Sequence, residues 1–337
     1  MKIYIVAEAT STSGGPESLQ QLAFFLRKNG YESYIYYIDT KDKNTPEKFK
    51  QYNNEISTEI EDNHENIIIV PESYTELLYQ YKSIKKVIWW LSLDFYLNNR
   101  WIRRTKIFCR AHKLPMVLFP VSFIYLFMSN KLKRHLYKYH RDDGVFHLYN
   151  CEYVNRYLSK IGVSSDMKMY LCGPLRNEFF KQFEKQERLN NVLYNPKKGI
   201  EFTKKLISNC KNKKIKFIPI QNMTPKEIRN LMKVSKVYID FGYFPGPERI
   251  PREAVMSGCN IITSKEGSAA NNIDVPIPKE FKFTPTDDNI TLILECIELL
   301  MLEYDSYYNF FDEYRTKVIK QYEEFEDRII KMIKLME

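Results

Sequence analysis

Glycine is scarce in this chain, 11 residues in 337. So little glycine argues against long flexible linkers. Cysteine is rarer still. The six cysteines (Cys109, Cys151, Cys172, Cys210, Cys259 and Cys296) form no CxxC pair and are irregularly spaced. That argues for reduced, mostly buried thiols in a cytosolic protein rather than a disulfide framework. All five histidines precede residue 150, away from any cysteine pair, so a structural zinc site is not expected. The opening run, Met1 to Ala7, is too short for the apolar core of a secretory signal and reads as a strand. GxGxxG is missing, and no acid is placed to read a nicotinamide ribose, which disfavours a dehydrogenase.

What is present describes a globular chain, 44% hydrophobic and 28% charged. Its length suggests two domains of roughly 150 residues. The net charge of +9 is unevenly spread. Between Arg100 and Arg141 lie Arg103, Arg104, Lys106, Arg110, Lys113, Lys131, Lys133, Arg134 and Lys138, with no Asp or Glu among them. Pro115 to Met128, in their middle, is almost wholly apolar. It is shorter than the about 20 residues a membrane span needs. Basic flanks around an apolar patch suit an anionic membrane surface; a buried helical hairpin with solvated flanks is the alternative. No nucleic-acid motif accompanies the basic charge, so nucleic acid is not an expected partner.

Strand patterns alternate with helical ones, which indicates parallel sheets with right-handed crossovers. Lys2–Val6, Ser33–Ile38, Ile67–Val70, Val87–Leu91, Val145–Leu148 and Met167–Leu171 read as strands of a first sheet. A helix over Ser18–Asn29 stops at Gly30. Leu171-Cys-Gly-Pro174 breaks the pattern, and Arg176–Asn191 reads as a helix or linker. A second series follows: Val192–Tyr194, Lys214–Ile218, a helix Pro225–Val234 capped by Thr224, Val237–Asp240, and Cys259–Thr263. Asp287-Asp288 is expected to cap a final pair of helices reaching Met336. The expected domains are 1–172, a linker 173–191, a second α/β domain 192–304, and a tail 305–337 packing back across both. A deep cleft is expected to separate the two α/β halves.

Ligands bind at the carboxyl edge of open parallel sheets, and four strand-to-helix junctions carry suitable chemistry. Ser11-Thr12-Ser13-Gly14-Gly15-Pro16-Glu17 follows the first strand; two glycines allow close backbone approach and the helix start offers free N–H groups. Asn195-Pro-Lys197-Lys198-Gly199 could meet a diphosphate. Gln221 and Asn222 could hydrogen-bond a base or ribose, or simply form a turn. The densest junction follows Asp240. Arg249 and Arg252 suit phosphate or carboxylate, and Glu253 could take both hydroxyls of a ribose. Glu248 suits a sugar hydroxyl, and Gly267-Ser268 could approach the ligand through backbone N–H groups. Ion pairing among these charges is the bland alternative. Asp240 is either a catalytic carboxylate or a strand-end cap.

At these residues the chain resembles bacterial GT-B-type glycosyltransferases of capsule, O-antigen or lipopolysaccharide assembly. Gly14-Gly15-Pro16-Glu17 is similar to their acceptor-side glycine loop. The stretch PGPERIPREAVMSGCNIIT is similar to their donor-side motif. Glu253 matches the family's ribose-holding glutamate; the partner glutamate would fall at Pro245, where Glu248 could substitute. The usual diphosphate-binding arginine is missing from Asn195–Gly199. The resemblance implies two Rossmann-like domains and a nucleotide-sugar donor held by Asn195, Lys197, Lys198, Gly199, Gln221, Asn222, Arg249, Arg252, Glu253, Gly267 and Ser268. It implies a glycan or lipid-linked acceptor near Gly14, Gly15 and Asp94. Catalysis would involve Glu17, Asp94, Asp240 or Glu248. It implies no metal or other cofactor, consistent with the lack of a DxD motif in a suitable loop. Related enzymes use CMP-activated acidic sugars such as Kdo, whose carboxylate Arg249 and Arg252 could accept. The implied location is the cytoplasm, with residues 100–141 offered to the inner face of the membrane. A nucleotide-sugar epimerase and a non-catalytic binding subunit remain open.

Overall fold

A computed structural model describes residues 1–11, 13–40, 44–129, 131–132, 136–140, 143–181 and 187–337. Thr12, Lys133, Arg134, Arg141 and part of the expected 173–191 linker lie outside the described residues. The chain divides into two compact units: Met1–Asn150, Val154–Gly173 and Glu326–Glu337 form the first, Cys151–Tyr153 and Pro174–Phe325 the second.

Unit 1 is built on seven parallel strands. They are β1 (Lys2–Ala7), β2 (Glu32–Tyr37), β3 (Glu55–Ser57), β4 (Ile67–Pro71), β5 (Lys85–Trp90), β6 (Phe146–Tyr149) and β7 (Lys168–Tyr170), in the order β3-β2-β1-β4-β5-β6-β7. The central strands are continuous apolar runs, because both faces of a parallel sheet are covered: Ile67, Ile68, Ile69 and Val70 are all fully buried. β2 alternates buried and part-exposed residues instead. The helices are α1 (Gly14–Lys28), α2 (Leu93–Asn99), α3 (Trp101–Ala111), α4 (Phe119–Met128) and α5 (Glu152–Lys160). α1 ends as its Gly30 implied: Gly30 N–H bonds Arg27 O and Tyr31 N–H bonds Leu26 O, both at 3.0 Å, the 5→2 and 6→1 pair of a Schellman stop.

Unit 2 has five parallel strands: β8 (Leu189–Tyr194), β9 (Lys216–Pro219), β10 (Ser235–Asp240), β11 (Asn260–Ser264) and β12 (Lys282–Phe283), in the order β12-β11-β10-β8-β9. Between them run α6 (Ile200–Asn209), α7 (Pro225–Lys233) and α8 (Arg249–Met256); α9 (Ile290–Leu302), α10 (Tyr304–Tyr308) and α11 (Asp312–Glu323) follow, and the last helix, α12 (Phe325–Met336), belongs from Glu326 onward to unit 1. Thr224 caps α7 as expected, in a reciprocal capping box with Glu227. α8 stops at Ser257-Gly258, also as expected.

Three local expectations differ from the structure. β3 and β12 are not among the expected strands. The final pair of helices is four, broken near Glu303, Asn309–Phe311 and Glu324. Of the stretch Arg176–Asn191, expected as a helix or linker, the described residues form a 3-10 turn, Asn177–Phe179, and β8 begins at Leu189, earlier than the expected strand start at Val192. No described helix is long and apolar enough to cross a membrane.

Each strand order contains one reversal. In unit 1 the chain moves outward from β1 to β2 and β3, then returns to lay β4 on the other side of β1. In unit 2 it moves from β8 to β9, then returns to lay β10 beside β8. Each reversal is a topological switch point, and in open parallel sheets ligands bind beyond the carboxyl ends of the strands that flank it.

Candidate functional site

At the β8/β10 switch point two loops meet through glycines. Asn195 opens the first loop, its Oδ1 accepting Lys197 N–H at 3.0 Å. Gly199, at φ 59°, then caps α6. A Cβ on Gly199 would stand 2.6 Å from Phe241 C, and one on Gly242 would stand 2.5 Å from Lys198 Cβ. Only hydrogen fits at either position, so the loop after β8 lies directly on the loop after β10. The start of α6 supplies unsatisfied backbone N–H groups at this junction, carrying the partial positive charge of the helix dipole.

The charged residues divide into two sets. Lys198 Nζ and Glu248 Oε1 pair at 2.7 Å, both side chains partly exposed, and this pair links the loop after β8 to the N-cap residue of α8. Lys197 is exposed, Arg249 and Glu253 partly so. Arg249 Nη2 donates to Pro174 O at 3.2 Å. Gln221 and Asn222 are exposed after β9, with Asn222 left-handed at φ 53°. These groups are accessible to a ligand.

The second set is turned inward. Arg252 is buried; its Nε donates to Glu248 O, its Nη2 to Pro247 O and its Nη1 to Gln321 Oε1 of α11, each at 3.2 Å. It ties the loop to α8 and α8 to α11, where an anion-binding fork had been expected. Ser268 is fully buried, its Oγ bonded to Gly246 O at 2.8 Å and its N–H to Phe244 O at 2.8 Å. A Cβ on Gly267 would collide with Phe244 O at 2.1 Å. Ser264 Oγ donates to Gly242 O at 2.7 Å. Gly267 and Ser268 therefore brace the loop after β10, and their polar groups are used in doing so. Asp240 is buried, with Oδ2 accepting Tyr238 O–H at 2.8 Å and Oδ1 accepting Gly242 N–H at 3.0 Å. Burial pushes its carboxyl up to about 6 against the lowering effect of those two donors. Of the two readings of Asp240, this geometry is that of the strand-end cap.

At the β1/β4 switch point of unit 1, α1 begins at Gly14, and Gly14 and Gly15 are partly exposed. Glu17 is buried; it accepts Tyr52 O–H at 3.0 Å and lies 3.8 Å from Lys48 Nζ. It is held within the unit rather than offered as a base. Asp94, in the first turn of α2, pairs through Oδ1 with Arg103 Nη2 at 2.9 Å. Its Oδ2 has no hydrogen-bond partner among the described residues.

Further polar groups, not among the expected site residues, lie at the carboxyl ends of the strands of this sheet. Glu72, directly after β4, is buried, and one carboxylate oxygen accepts Leu91 N–H at 2.8 Å. Burial, the largest influence, raises its carboxyl to about 7. Tyr74 O–H donates to Glu8 Oε1. Asn150 Nδ2 donates to Leu91 O at 2.8 Å. Asn150 Oδ1 and Ser92 Oγ, like Asp94 Oδ2, are buried and unpartnered among the described residues. The signal was available: an acid or amide immediately follows β1 (Glu8), β4 (Glu72) and β6 (Asn150), and Ser92 and Asp94 lie within four residues of the end of β5.

No protein-family model matches this chain, and no curated protein matches it in sequence. Solved structures do. HepE from Anabaena, in complex with UDP, aligns at TM-score 0.58 over 99% of this chain and 100% of that one, at 11% identity. Sucrose-phosphate synthase from Thermosynechococcus elongatus aligns at 0.63 over 99% and 98%, at 12% identity. WaaG, a glycosyltransferase involved in lipopolysaccharide biosynthesis, aligns at 0.58 over 98% and 99%, at 9% identity. The chain thus has the two-domain, Rossmann-like α/β fold of the GT-B glycosyltransferases.

Proposed function

We propose that this chain transfers a sugar from a nucleotide-sugar donor to a hydroxyl of a glycan or lipid-linked acceptor in cell-surface polysaccharide assembly, working on the cytoplasmic face of a membrane. The observation that carries the reading is the β8/β10 switch point, where Lys197, Lys198 and the α6 N-terminus gather positive charge beside the partly exposed carboxylates Glu248 and Glu253. HepE, of the same fold, has been solved with UDP-glucose.

The donor's phosphates would take Lys198, Lys197 and the first-turn amides of α6. Glu253 would hold the ribose, Glu248 a sugar hydroxyl, and Gln221 or Asn222 the base. Two lysines and a helix start favour a diphosphate. The carboxylate of a CMP-activated acidic sugar would have only Arg249, because Arg252 is spent inside the fold. We therefore favour a nucleoside-diphosphate hexose. On the acceptor side Gly14, Gly15 and Asp94 remain, and Asp94 is preferred as base over Glu17 and Asp240, whose oxygens are engaged.

In the reaction the acceptor oxygen bonds to the anomeric carbon as the bond from that carbon to the phosphate oxygen breaks. The acceptor proton passes to Asp94. Lys198 and the α6 dipole stabilise the charge that develops on the leaving diphosphate.

Calorimetric titration with UDP, GDP, dTDP and CMP tests the donor site. One nucleoside diphosphate is expected to bind, and Lys198→Ala to weaken it about tenfold, the worth of one charge-assisted hydrogen bond. Unchanged affinity in Lys198→Ala would remove the assignment. Binding without transfer to any acceptor would favour the non-catalytic reading.

A further inference from the structure

The helical hairpin of unit 1 presents its apolar residues to water. Thr105 and Cys109 of α3, and Ser122 and Leu126 of α4, are buried. Trp101 packs on Phe123 at 6.2 Å and on Phe127 at 6.0 Å, which fixes the two helices together. The outward residues are the surprise. Val117 is 80% exposed, Val121 63% and Met128 78%, with Ile124 and Phe127 open beside them. α4 carries no charged residue at all. Isolated exposed apolar side chains are ordinary, but a contiguous face of them marks a contact surface. Ten residues of helix reach about 15 Å, half of a hydrocarbon core of about 30 Å, so α4 can enter a bilayer surface but not cross it.

The surroundings select the occupant. Lys106 and Arg110 of α3, Lys113 just after it and Lys131 just after α4 are exposed, and no described carboxylate pairs with them. Lys131 Nζ also stands 5.7 Å from the Tyr125 ring centroid. No Asp or Glu occurs between Arg100 and Arg141. A second copy of the chain would set cations against cations. An anionic lipid surface accepts both the apolar face and the charge around it.

We propose that the α3–α4 hairpin is an insertion element for an anionic bilayer, with Val117, Val121, Ile124 and Met128 among the upper acyl chains and the cations at the level of the lipid phosphates. This deepens the membrane-face reading above and rests on that part of it alone.

The test uses the full chain and needs no donor. It is mixed with vesicles of phosphatidylcholine, or of phosphatidylcholine with phosphatidylglycerol, and pelleted. Binding is expected to the anionic vesicles, to fall as salt rises, and to drop about tenfold or more when Arg110 and Lys113 are both changed to Gln. Val121→Glu and Met128→Glu should lose binding at an unchanged melting temperature, since both sites are solvent-facing. Brominated acyl chains should quench the wild type but not Trp101→Phe, because Trp89 and Trp90 are buried in β5. Equal binding to neutral vesicles, no binding, or full binding by the glutamate variants would overturn the proposal. So would a lipid-free dimer that Ile124→Glu dissociates. A failed transfer assay leaves this result standing, and a hairpin that stays in water leaves the donor site standing.

Discussion

Individual side chains set how this protein responds to pH. His147 is fully buried and accepts Trp90 Nε1–H at 3.0 Å; burial pulls its pKa down to about 4. The unfolded chain therefore binds the proton more readily, and the His147 contribution is complete above pH 6.5 and lost as pH falls toward 4, about 3 kcal/mol in all. Glu72 acts in the opposite sense. Its raised pKa of about 7 makes its contribution complete below 4.5 and lost as pH rises through 7. Melting curves across this range should show the two apart: Glu72→Gln should keep more of its stability toward pH 8 than the wild type, and His147→Gln more of its stability toward pH 4. Parallel pH profiles for both variants and the wild type would contradict the assignment. Arg252→Met is expected to cost about 3 kcal/mol of stability, because it strips buried acceptors of their donor. Lys198→Ala should cost little stability and act on affinity instead. Urea titration beside calorimetry separates the two effects.

At the scale of elements, the loop after β10 is the rigid part of the donor site. Ser264, Ser268 and Asp240 each bond into it, and Gly199 lies against it. Gly199→Ala should cost at least about 2 kcal/mol, from left-handed strain plus the backbone collision, and nucleotide binding should go with it. Wild-type affinity and melting in that variant would mean the two loops are not locked together. The strand–loop–helix succession was legible because apolar runs, Gly/Pro loops and caps such as Thr224 are local signals. The inward turn of Arg252, Ser268 and Glu17 was not legible. A polar residue at a strand end looks the same in sequence whether it bonds a neighbouring carbonyl or waits for a ligand. β3 carries a single apolar residue, Ile56, too little for a pattern. The breaks between α9 and α12 occur where there is neither Gly nor Pro, so packing rather than local propensity ends those helices.

For the whole molecule, hydrogen exchange with a bound nucleoside diphosphate is expected to protect residues 195–203 and 241–253 of unit 2 while leaving the amides of β1 to β7 unchanged. Protection centred on unit 1 would place the nucleotide in the wrong half. Both sheets are parallel throughout, so every strand pair joins residues far apart in sequence, a topology that folds slowly. Unit 1 adds one more distant piece, the segment Glu326–Glu337. There Ile329, Met332 and Ile333 are buried, Glu326 bonds Asn29 Nδ2 at 2.7 Å, and Lys85 donates to Met336 O. On the ribosome, synthesis runs at about 5–20 residues per second. The first 150 or so residues must therefore wait through the making of the entire second unit before the segment that completes their own core emerges. During that interval the nascent chain shows an open apolar surface, and a chaperone would find its client there.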